Sequence, residues 1–141
     1  MDSSPGCWAA FGEVLAHEYS DVSFGRNHRL TVDAYALQHP GKQSPQSIQS
    51  IAVHLVSFYM IFERGMKMPE ATQFLQRLVE HKAEFFWLEP PADFGSVTVR
   101  NVLDAKNAEA HLQTVKKWAE SAWSAWEEHH GQAKKWAELC A

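Results

Sequence analysis

Ser44–Gly65, SPQSIQSIAVHLVSFYMIFERG, is the longest apolar run of the chain and the stretch that decides its fold. Ser44 can accept from the free N–H groups of a first helical turn, and Pro45 suits the first helical position because its missing N–H is not needed there. Gly65 can take the left-handed conformation past the last turn, and Arg64 suits the negative end of the helix dipole. Ile48, Ile51, Leu55, Phe58 and Phe62 recur at three- and four-residue steps, and Ala52, Val53, Val56, Tyr59, Met60 and Ile61 widen that stripe. A helix apolar on nearly every side is central in a domain or lies in a membrane. Its apolar part falls short of the roughly 20 residues of a bilayer span, so a central core helix is expected. One histidine, His54, interrupts it.

Outward from this helix the chain reads as helices joined by punctuated loops. Met1–Gly6 is expected to fray. A short helix follows over about Cys7–Glu18, with Trp8, Phe11, Val14 and Leu15 on one side and Glu13 one turn from His17. A second helix spans about Asn27–Gln38, closed by His39-Pro40-Gly41, and carries His28, Val32, Tyr35 and His39 on one face with Asp33 pointing elsewhere. A fourth covers about Pro69–Phe85. Pro90 and Pro91 make Phe86–Gly95 a loop. A last helix begins near Ser96 or Thr98, breaks near Asn107 and runs to Leu139. Within it His111, Val115, Trp118, Ala122, His129, Ala133 and Trp136 share an arc at about 100° per residue. No strand pattern is present. The expected fold is all-α: one domain over 1–141, an up-and-down helical bundle with a short extra N-terminal helix and a long C-terminal one.

Composition excludes several functions. Hydrophobic residues make up 45% of the 141 and charged ones 21%, the balance of a soluble globular chain. The net charge of −4 and the lack of a basic patch argue against nucleic acid. Cys7 and Cys140 sit at opposite ends and suggest no disulfide framework. No secretory leader is visible, so a cytoplasmic protein that does not bind membranes is expected.

Chemistry points to the eight histidines. His28 and His39 lie about 16 Å apart along one helix and His111 and His129 about 27 Å, so neither pair can hold one ion. There is no HExxH and no ExxH carboxylate pair. One ligand per helix survives: His28, His54 and His111 would bind a divalent metal, zinc first, with nickel, iron or manganese as other candidates. Asp33 or Glu13 would orient a ligand or act as base, and Tyr35 would donate a proton. The bland reading of the same residues is a buried network of histidine, Asp33, Tyr35 and Gln38 that fixes helix register. His129 and His130 point about 100° apart, one near Trp126 and one to water.

The stretches CWAAFGEVLAHEYSD, HRLTVDAYALQHPG, SPQSIQSIAVHLVSFY and WAESAWSAWEEHH resemble a family of uncharacterised proteins over Cys7–Trp136. Many of its members begin with a CPxCG-type knuckle suited to zinc, which these stretches lack. SIQSIAVHL and TVRNVLDAKNAEAH are also similar to the DinB/YfiT-like metal-binding four-helix bundles. That resemblance implies ligands at His54 and His111, with Asn107 where the first histidine of an HxxxH pair would stand. It further implies thiol transfer or hydrolysis on a small molecule, and a homodimer. The alternative is a non-enzymatic scaffold or ligand-binding module working through the tryptophans of the last helix; their burial decides between the two.

Overall fold

The structure, a computed structural model, describes residues 5–140 and is all-helical, with no strand among the described residues. The order is α1 (Pro5–Ser20), α2 (His28–Gln38), α3 (Pro45–Phe58), α4 (Met68–Val79), α5 (Val99–Leu103), α6 (Ala108–Ala125) and α7 (His130–Ala137), with short 3₁₀ turns between several of them. Of the residues expected to fray, 1–4 lie outside the described residues, and Pro5 and Gly6 open α1. No described helix is long and apolar enough to cross a membrane.

α2 lies between α3 and α6, α1 packs on α5, and α4 and α7 cover the outer side of α3. α3 starts as its sequence dictates: the Ser47 N–H donates to Ser44 Oγ at 3.0 Å. Ile51, Leu55, Val56 and Phe58 are fully enclosed. The run then widens into one π-helical turn, Tyr59–Glu63, in which Arg64 N–H reaches Tyr59 O and Met66 N–H reaches Met60 O. A π turn rotates less per residue than an α turn, so the consecutive Phe58, Tyr59 and Met60 all stay in the core. Gly65 follows at φ +67°, the left-handed position a side chain would strain.

Two long helices expected from sequence are shorter in the structure. α4 stops at Val79, where Glu80 and His81 turn back on Arg77 O and Leu78 O in 3₁₀ bonds. The C-terminal helix breaks at Asn107 as expected, with Asn107 Oδ1 accepting from Ala110 N–H at 2.9 Å. It breaks again over 126–129. There His130 folds back, stacks on Trp123 at 3.4 Å between ring centroids and donates from Nε2 to Trp123 O, taking a carbonyl that a continuing helix would have used. His129 is the histidine that lies near Trp126, with ring centroids 5.7 Å apart, and it donates to Glu89 O. Trp118, Trp126 and Trp136 are enclosed, at 0%, 0% and 3% exposure, so they form core and not an exposed stripe.

Candidate functional site

Facing residues of α1 and α2 pair antiparallel. Phe11 stacks on Tyr35 with centroids 3.9 Å apart and planes 4° off parallel, and Glu18 meets His28 and Thr31. Phe11, Val14 and Glu18 occupy one face of α1, so the helix carries a carboxylate onto its own apolar side. The Glu18 carboxylate is fully enclosed and both its oxygens are used. Oε1 accepts from His28 Nδ1 at 2.8 Å; Oε2 accepts from His111 Nε2 and from Thr31 Oγ1, each at 2.7 Å. Burial works to raise the pKa of Glu18, but the hydrogen bonds from His111, Thr31 and His28 outweigh it. The group is held below the ordinary glutamate value.

A second network lies on the neighbouring face of α2. Asp33, also fully enclosed, accepts from Arg29 Nε and Nη2 at 3.1 and 2.7 Å, from His54 Nδ1 at 2.7 Å, and from Ser57 Oγ. Arg29 and Asp33 are one turn apart on α2, and His54 and Ser57 nearly one turn apart on α3, so two helices each supply two members. α2 thus joins α1 and α6 through Glu18 and α3 through Asp33.

The six residues expected to carry chemistry are distributed as follows. His28 and His111 come together, on Glu18. His54 is on Asp33 instead. Tyr35 is buried between Phe11 and His39. Glu13 is exposed on α1, away from both carboxylates. Among the described residues no three His, Cys, Asp or Glu side chains stand in a metal-holding group. His39 donates from Nδ1 to Tyr35 O at 2.9 Å, while its Nε2 is buried with no hydrogen-bond partner; burial lowers its pKa. Glu18, Thr31, Arg29 and Ser57 were not expected. The sequence did mark Glu18: it lies seven residues after Phe11 and four after Val14, a polar group on an apolar stripe.

Of the two carboxylate networks, the one at Glu18 reaches the surface through His28. Its side chain is 31% exposed, and its Nε2 stands 3.2 Å from the hydroxyl of Tyr19, itself 74% exposed. With Nδ1–H donating to Glu18, Nε2 carries the lone pair that accepts the phenol proton. His28 also lines an open cleft of about 300 Å³ between α2 and α4, with Arg26, Arg29, Val32, Met68, Pro69 and Thr72. His54 borders a separate cleft with Gln49, Ser50 and Val53.

A model of a family of unknown function, DUF5946, matches residues 1–127. No curated protein and no solved structure matches the chain.

Proposed function

The chain belongs to that family of unknown function, and we propose, from its geometry, that it binds a small molecule in the α2–α4 cleft and moves a proton there through His28. The observation that carries this reading is the line Glu18–His28–Tyr19: an enclosed carboxylate on Nδ1, an exposed hydroxyl on Nε2. The carboxylate fixes the tautomer and stabilises the imidazolium that forms when Nε2 takes a proton. His111 and Thr31 keep the carboxylate in place and ionised. Tyr19, or a ligand hydroxyl in its stead, is the group whose proton is taken. A positioned general base of this kind contributes about 10²–10⁴-fold to a rate. The reading needs neither a DinB-like helix arrangement nor a dimer.

A second reading, a divalent ion, is favoured by one observation: two imidazoles converge on one carboxylate. Both imidazoles spend a ring N–H on Glu18 and the three do not form a metal-holding group as they stand, so an ion held by His28, His111 and Glu18 would have to displace those protons and draw the side chains around it. His54 does not fit that set, because Asp33 holds its Nδ1 on another side of α2. The ion would supply Lewis acidity, with Thr31 orienting Glu18.

Long-range ¹⁵N–¹H NMR on histidine-labelled protein tests the first reading. His28 is expected as the Nδ1–H tautomer, with Nε2 perturbed in Tyr19→Phe. A proton on Nε2, with Nδ1 bare, would remove the relay. Metal analysis of untagged protein separates the second: near-stoichiometric metal that disappears in Glu18→Ala would move the assignment to the ion.

A further inference from the structure

The composition of the α2–α4 cleft specifies a ligand class. We infer that it takes a small monocarboxylate with a short apolar tail; this rests on the proposed function and names the ligand of the same site, with Tyr19 and not the ligand as the group whose proton His28 takes. Arg26, on the short turn between α1 and α2, is exposed at the cleft and forms no ion pair among the described residues. Arg29 is pinned by Asp33 through Nε and Nη2, which fixes the plane of its guanidinium and leaves Nη1 outside that pairing. Two guanidiniums at one cleft, one free and one preset, supply the donor type that oxyanions take.

Charge balance narrows the anion. Arg29 is offset by Asp33, and Glu18 is enclosed by its own three donors. Among the residues that line the cleft none is acidic, and Arg26 is the lining cation without a carboxylate partner, so a singly charged anion is its simplest match. The rest of the lining is mostly apolar: Val32, one turn along α2 from Arg29, and across from it Met68 and Pro69 from the first turn of α4, with Thr72 beyond them. That turn adds a weakly positive rim, since Lys67 at its N-cap makes no side-chain cap bond; Glu70 in the same turn is exposed and does not line the cleft. A phosphate would waste the apolar wall, and a neutral molecule would leave Arg26 unused. The volume of about 300 Å³ lies at the small end of ligand sites. His28 lines the same space.

The test is an NMR titration of the full chain with hexanoate, hexanamide and inorganic phosphate. Hexanoate is expected to give saturable shifts at Arg26, Met68 and Thr72. Hexanamide and phosphate should bind at least about tenfold more weakly, and Arg26→Gln should weaken hexanoate by at least about tenfold. Met68→Glu should weaken hexanoate as well, and Arg100→Gln, on α5, should leave it unchanged. The inference is overturned if hexanoate causes no localised shifts, if hexanamide or phosphate binds as well, or if Arg26→Gln binds hexanoate like the wild type. The long-range ¹⁵N–¹H experiment on histidine-labelled protein reports the His28 tautomer separately. Absent hexanoate binding with an Nδ1–H tautomer sinks the ligand class alone; hexanoate binding with the opposite tautomer sinks the proton relay alone.

Discussion

Glu18→Gln is the most informative single change. The amide keeps the shape of the carboxylate but removes its charge and turns one acceptor into a donor. Three donors, His28 Nδ1, Thr31 Oγ1 and His111 Nε2, then lose a charged acceptor. Hydrogen bonds to a charged group contribute about 1.5–3 kcal/mol against about 0.5–1.5 for neutral ones, so the gross loss is about 3 kcal/mol. Relief from burying a charge returns part of this, leaving about 2–3 kcal/mol. For 141 residues the unfolding entropy is about 0.3 kcal/mol/K, so the melting temperature should fall by about 7–10 °C. The loss should also depend on pH with a definite sign. The folded pKa of Glu18 is lowered from 4.5, so its contribution is fully present above 4.5 and is lost as pH falls through the lower folded value. Urea unfolding of wild type and variant at neutral pH, and at steps below 4.5, measures the difference. It should shrink with acid. A neutral-pH loss under about 1 kcal/mol, or a loss independent of pH, would mean that the buried group is not the ionised hub described above.

Two further substitutions test the frame around the site. Gln38 donates to Phe94 O and Val97 O at 3.0 and 2.8 Å and accepts from Trp118 Nε1 at 2.8 Å. Gln38→Leu should cost about 2–4 kcal/mol and speed hydrogen exchange in the 86–98 segment, readable by mass spectrometry. Gly95 sits at φ +103°, where a Cβ would stand 2.3 Å from Ser121 Oγ and 3.0 Å from Ser121 O. Gly95→Ala should destabilise by at least about 1–3 kcal/mol in thermal unfolding, whereas Gly12→Ala, with open space around it on α1, should not.

Local signals in the sequence marked the central helix well. Ser44-Pro45 and Gly65 act at one end each of a continuous segment, so their chemistry needs no partner from elsewhere. Asn107 is a similar case, a side chain that caps the helix it precedes. The break after Ala125 was not legible, because it depends on the His130 ring lying flat on Trp123 and on a carbonyl that only the folded chain brings within reach. The same holds for the histidines. Helix phase placed His28, His54 and His111 toward the interior but could not say which carboxylate each would meet. That depended on Asp33 turning toward α3, and on Glu18, whose position on the stripe of Phe11 and Val14 was the missed signal. Glu13 drew attention as the neighbour of His17, yet both are exposed.

Glu18 and His111 are 93 residues apart, and that separation bears on how the chain folds. α1 meets α2 through side chains such as Phe11 on Tyr35 but packs mainly on α5, so most of its burial waits for residues far along the chain. The two helices cannot enclose Glu18 at low free energy until α6 arrives with His111, since a buried carboxylate short of a donor is costly. The last main helix therefore completes the first. A chain lacking α6 should hold α1 loosely, and a ribosome-bound nascent chain should keep its first helix open to protease until residue 111 has emerged. Through this one acid, residues 18 and 111 are tied into the same core, and α1 and α6 are expected to unfold together.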